Sequence, residues 1–60
     1  MTGKQMLKLY IENGWKLLRI NGSHHQMAKN GQLETIPIHS GKELNKKTQH
    51  TLLKSLKEVK

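Results

Sequence analysis

The sequence predicts a small α+β fold of order α-β-β-β-α: a three-stranded antiparallel sheet with two helices on one face. Three observations carry this prediction. Two Asn-Gly pairs, Asn21-Gly22 and Asn30-Gly31, divide the middle of the chain into three short runs. Asn-Gly accepts the positive φ of a tight hairpin turn, so each run should fold back on the one before it. Apolar residues recur at helical spacing near both ends, through Met6, Leu7, Tyr10 and Ile11 and again through Leu52, Leu53, Leu56 and Val59. The chain has 60 residues, 33% of them hydrophobic, which suffices for one minimal core and not for a second layer. A single domain over residues 1–60 is therefore expected.

Each element has its own local signal. Thr2-Gly3-Lys4-Gln5 has the form of a capping box, with Thr2 accepting from an early backbone N–H and Gln5 reaching back. A helix over 3–13 follows, and its apolar stripe is expected in the core. Asn13-Gly14 should stop it, with Gly14 in the left-handed position after the cap. The strands are expected over 15–20, 23–29 and 32–38, the last ending near Pro37. Ser40-Gly41-Lys42-Glu43 is turn-like, and Thr48 is the expected cap of the last helix. Lys46, Lys47, Lys54, Lys57 and Lys60 decorate that helix.

The turns also predict which residues share a face, because directly opposed residues of an antiparallel pair point the same way. Two-residue loops at Asn21-Gly22 and Asn30-Gly31 set Arg19 opposite His24, and His24 opposite Pro37. One face then carries Trp15, Leu17, Arg19, His24, Gln26, Ala28, Leu33, Thr35 and Pro37. The other carries Lys16, Leu18, Ile20, Ser23, His25, Met27, Glu34, Ile36 and Ile38, and its denser aliphatic cluster assigns it to the core. His24 and Arg19 are thereby expected on the open face. Trp15 conflicts with this pattern, since a lone Trp in so small a chain belongs inside. A bulge near the start of the first strand would resolve the conflict.

Charge narrows the function. Eleven Lys and Arg against four Asp and Glu give +7 and a pI of about 10.1. Such an excess favours nucleic acid, an anionic surface or an acidic protein partner. There is no cysteine, hence no disulfide and no thiolate-held metal, which fits a reducing, cytoplasmic setting. No apolar run approaches a membrane span, so no membrane partner is expected.

The four histidines, His24, His25, His39 and His50, are the chemically distinctive residues. Histidine changes charge near neutral pH and so exchanges protons there. No HExxH motif and no closely spaced histidine pair suited to zinc is present, so no metal or other cofactor is expected. A Ser-His-Asp triad is excluded because the chain contains no Asp. Spacing alone leaves His24 open between a half-exposed strand residue without a role and a proton-transfer group. His25 is expected at the edge of the core with its hydrogen bonds satisfied, and His50 in solvent. His39, just past the third strand and near His24, is a candidate supporting or phosphate-contacting group.

The ordered set of motifs resembles the HicA family, the toxins of HicAB toxin–antitoxin pairs. The matching marks are Gly14-Trp15 after the first helix, then Gly22-Ser23-His24-His25, then Ile36-Pro37-Ile38-His39, and finally Lys47-Thr48 with Leu52-Leu53. The family more often has Gly-Thr where this chain has Lys47-Thr48, and an aromatic residue where it has Met27. The resemblance implies a double-stranded-RNA-binding-domain-like fold and an endoribonuclease acting on mRNA, and the lack of a ligand set suited to zinc or magnesium makes metal-independent cleavage the expected mechanism. It also implies neutralisation by a HicB-like antitoxin in a toxin–antitoxin complex. Under it His24 is the catalytic histidine. The residues around it then offer supporting candidates: Arg19, if it faces His24, to stabilise phosphate charge, and Ser23 or His39 as the second proton carrier. Lys29, Lys46, Lys47 and Lys54 are the RNA-binding candidates. A non-catalytic RNA-binding module of the same fold is the rival reading, since fold does not fix function.

Overall fold

A computed structural model describes residues 1–58; Val59 and Lys60, expected on the last helix, lie outside the described residues. The elements run α1 (Gly3–Glu12), β1 (Lys16–Asn21), β2 (His24–Lys29), β3 (Gln32–Pro37) and α2 (Lys46–Glu58). The strands form one antiparallel sheet in the order β1-β2-β3. The α-β-β-β-α order and the open three-stranded sheet are as the sequence predicts.

Both ends of α1 follow from its sequence. Thr2 and Gln5 form the reciprocal capping box, with the Gln5 N–H donating to the Thr2 hydroxyl and the Thr2 N–H donating to the Gln5 side chain. At the other end Gly14 has φ +89°, its N–H donates to the Ile11 carbonyl, and the Trp15 N–H donates to the Tyr10 carbonyl. This is a Schellman ending, which satisfies carbonyls that the helix leaves open. Its customary apolar contact is also present. The rings of Trp15 and Tyr10 meet with centroids 4.7 Å apart at 53°.

The buried cluster comprises Met6, Tyr10, Trp15, Met27, Ile36 and Leu52, drawn from both helices, the segment joining α1 to β1 and the inner sheet face. Leu7, Ile38, Leu44, Leu53 and Leu56 pack partly buried against it. Ile11, expected with the stripe, is exposed. The Tyr10 hydroxyl donates to the Leu52 carbonyl at 2.6 Å and ties the two helices together inside the core.

α2 begins earlier than expected. Asn45, not Thr48, is its cap: the Asn45 side-chain oxygen accepts from the Lys47 N–H at 2.8 Å. Asn is among the best N-cap residues, and a start at Asn45 adds most of a turn before Thr48. Gly3 shows why α1 lies where it does. A Cβ there would fall 2.5 Å from the Pro37 carbonyl oxygen, so only glycine lets the helix start approach the end of β3 so closely.

β1 departs from the predicted register at two places. The first loop is Gly22-Ser23 rather than Asn21-Gly22, and Asn21 pairs with His24. Gly22 has φ +62° and Ser23 has no positive φ, the pattern of a type II′ turn. The pairing thus moves by two places, so Arg19 stands opposite Gln26 and not His24. A shift by two preserves the face, and Arg19 stays on the open side with His24. The second departure is a bulge between Leu17 and Arg19. It reverses the alternation before it, so Trp15 and Leu17 turn inward and Lys16 and Leu18 turn outward, against expectation. Burial of Trp15 requires this bulge. The second hairpin matches expectation: Asn30 and Gly31 both have positive φ, as a type I′ turn needs, and Lys29 pairs with Gln32.

Among the described residues no helix is long and apolar enough to cross a membrane.

Candidate active site

His24 begins β2, directly after the glycine-led turn. Its ring is exposed on the open sheet face, between Asn21 on β1 and Pro37 on β3. The pairing with Pro37 is as predicted. Burial of Met27 and Ile36 fixes the parity: the two core residues demand that His25 and Met27 face inward, so His24 and Gln26 face out.

Several candidate residues gather at this end of the sheet. The Ile38 N–H donates to the Ser23 carbonyl at 2.7 Å and extends the β2–β3 pairing past Pro37. That bond draws His39 toward the Ser23-His24 segment. His39 is exposed, and its carbonyl accepts from the Lys42 N–H to close a turn. Arg19 is exposed two pairs farther along, diagonal to His24 across the β1–β2 ladder. The start of α1 rests on Pro37 and Ile38 through Gly3, and a Thr2–Glu43 bridge brings the approach to α2 to the same end. Lys46 and Lys47 are exposed in the first turn of α2, and Lys54 is exposed about 12 Å farther along its axis.

Lys29 stands apart. It lies at the opposite end of β2, some ~17 Å of strand from His24. Its ammonium donates to the Asn13 carbonyl at 2.6 Å, serving the C-terminal end of α1. Nothing in the sequence pattern distinguished this lysine from the others, because the bond depends on β2 passing under the end of α1.

The remaining histidines divide as their positions dictate. His25 is half-buried on the inner face, opposite Ile20 and Ile36. Its Nδ1 is buried without a hydrogen-bond partner among the described residues, where a satisfied ring was expected. His50 is exposed on α2. Among the described residues, no three His, Cys, Asp or Glu side chains come together in a way that would hold a metal ion.

Tyr10 lies on the far side of the sheet from His24. Its phenol is pushed up to about 12, first by burial and second by the Glu34 carboxylate. Glu34 also accepts from the Ser55 hydroxyl at 3.1 Å. This polar group links the inner sheet face to both helices and is remote from the open face. It escaped the sequence reading because only the packed helices bring Tyr10 and Ser55 to Glu34.

The order Gly-Trp, Gly-Ser-His, Pro-x-His is thus laid onto one fold with Ser23, His24 and His39 at one sheet end. A family model described as the HicA toxin of bacterial toxin–antitoxin systems matches residues 3–57, nearly the whole chain. The chain belongs to the HicA toxin family. Membership in HicA makes it the toxin side of a toxin–antitoxin pair and implies an antitoxin partner. No curated protein and no solved structure gave a significant match. The match spans every element from Gly3 through most of α2, so the Gly22-Ser23-His24-His25 segment lies well inside it.

Proposed function

We propose that this HicA-family protein is a metal-independent endoribonuclease that cleaves mRNA, with His24 exchanging the proton at the reacting oxygen. The observation that carries the reading is the position of His24: an exposed imidazole at a tight turn, on the open sheet face of a +7 chain. In the reaction a base removes the proton of an RNA 2′-OH, and that oxygen attacks the adjacent phosphorus. The bond from phosphorus to the 5′-oxygen breaks, and an acid protonates the departing oxygen. The products are a 2′,3′-cyclic phosphate and a 5′-hydroxyl. A positioned general acid or base contributes typically about 10²–10⁴-fold, and imidazole suits either task.

The neighbours supply the rest. The Arg19 guanidinium, on the same face and two pairs away, stabilises charge on the phosphate. Ser23 and His39 are the nearest candidates for the second proton carrier. Lys46, Lys47 and Lys54 contact backbone phosphates along the exposed side of α2. Lys29 has a smaller part, since one of its protons is already committed to Asn13. The protein acts in the cytoplasm, where mRNA is available, and a HicB-like antitoxin inhibits it by covering the open face.

The test is a labelled transcript incubated in EDTA with wild type and with His24→Ala. Cleavage by wild type to cyclic or 3′-phosphate ends, lost in the variant, supports the reading. A 3′-hydroxyl product formed only with added metal contradicts the mechanism. Retardation of the transcript without cutting favours the binding module.

A further inference from the structure

The open face of the sheet has two dissimilar halves. Toward the first hairpin it carries Arg19, Asn21, His24, Gln26 and Thr35. Toward the second it carries Ala28, flanked by Leu33 opposite it on β3 and by Leu18 at the bulge of β1. Leu18 is 56% exposed and Leu33 66%. Scattered surface leucines need no explanation, but two of them around one small residue form a patch that water does not reward. Beside this patch lies a hollow of about 350 Å³, walled by Leu18 and Ala28 and by Lys16 and Lys29.

We infer that this half is the docking surface for the antitoxin, which seats an acidic segment here with an aliphatic or aromatic side chain in the hollow. The inference rests on the toxin reading above and adds where the partner is held. Family membership implies the partner. The bulge supplies the anchor, because it turns Leu18 outward where a regular strand would have turned it toward the helices. The lysine rim and the +7 chain call for an acidic occupant.

RNA fits this half less well. Phosphates would reward Lys16 and Lys29 but not Leu18 and Leu33. Base stacking needs an exposed ring, and the chain's two aromatic residues, Tyr10 and Trp15, are both buried. Ala28 and His24 are separated by roughly 13 Å of strand. An antitoxin anchored at Ala28 therefore lays its body across His24 without gripping it. Anchor and catalytic group are separate parts of one face.

Two paired variants test this, Leu18→Glu with Leu33→Glu and the milder Leu18→Ala with Leu33→Ala. Both positions are exposed, and circular dichroism checks that each variant folds. The probe is the protein encoded by the reading frame neighbouring this one, titrated calorimetrically, with transcript cleavage measured separately. Affinity for the probe should fall by about tenfold or more in the Glu pair and by less in the Ala pair. Cleavage of the transcript should stay within about twofold of wild type, because neither leucine touches the reacting group. Unchanged probe affinity in a folded variant overturns the inference, and so does a wild type that fails to bind the probe. Loss of transcript affinity with probe affinity kept assigns the patch to nucleic acid instead. A wild-type dimer that the Glu pair dissociates, with probe affinity kept, assigns it to a second copy. A wild type that never cleaves RNA removes the nuclease reading, yet the titration still decides where the probe docks.

Discussion

Replacing Gly3 with alanine sets two effects of opposite sign against each other. In a helix interior alanine is favoured over glycine by about 0.8–1 kcal/mol, and propensity alone predicts a gain. Packing predicts a loss. The added Cβ would lie 2.5 Å from the Pro37 carbonyl oxygen and 2.9 Å from both Cα and Cγ1 of Ile38. Two of those three atoms are backbone, so no rotamer change relieves them and the start of α1 must back away from β3. Overpacking of this kind costs typically ~1–3 kcal/mol. Gly3 is the first residue of α1, where the propensity gain is smallest, and the net expectation is a loss of about 1–2 kcal/mol. For a chain this small each kcal/mol shifts the melting midpoint by roughly 4–8 °C. Thermal and urea unfolding followed by circular dichroism read this directly. Pro37 is also the cross-strand partner of His24, so transcript cleavage well below the midpoint should fall as well. A variant as stable as wild type, or more so, would refute the close approach of α1 to β3.

Two further outcomes follow from the core and the charge. Tyr10→Phe removes the hydroxyl from the Leu52 carbonyl and should cost about 1 kcal/mol at neutral pH. The wild-type phenol, pushed up to about 12, holds its proton more tightly in the fold than in the unfolded chain. Its stabilisation is complete below the unfolded value of about 10 and is lost as pH rises toward about 12, so the gap between wild type and variant should narrow through that window. Urea unfolding across the alkaline range checks this, and a constant gap would contradict it. Lys46→Gln with Lys47→Gln should flatten the salt dependence of transcript binding by about 1.4 in log–log slope if both lysines contact a single strand. Filter binding across a salt series measures it, and an unchanged slope would place the RNA path elsewhere.

The fold was legible where local chemistry and global packing agree. Thr2 and Gln5 announce α1, Gly14 ends it, and Asn30-Gly31 makes the type I′ turn its residues favour. The first hairpin was misplaced because two turns compete there. Asn21-Gly22 suits one, but Gly22-Ser23 suits a type II′ turn, and the chain adopts the second. The bulge at Leu18 leaves no composition signal; the conflict at Trp15 was its only trace. Asn45 and Thr48 both have cap-forming side chains, and the helix starts at the one nearer residues 43 and 44, which meet the N-terminus through Thr2–Glu43 and Leu44–Met1. His24 on the open face and opposite Pro37 was legible, since parity from the turn survives a shift by two. The Lys29–Asn13 bond was not, because it joins residues that only the tertiary fold brings together.

The central claim is that His24 performs chemistry rather than holding a partner or the fold, and one paired measurement tests it. His24→Ala and wild type are titrated calorimetrically with the neighbouring-frame protein and assayed in parallel on a labelled transcript in EDTA. His24 is exposed and lies at the opposite end of the open face from Leu18 and Leu33. Truncating an interface residue outside the hot spots costs less than ~1 kcal/mol, so affinity should hold within about fivefold while cleavage disappears. A variant that still cuts RNA would contradict the catalytic assignment. A variant that loses partner affinity along with cleavage would make His24 an anchor of the interface or of the fold.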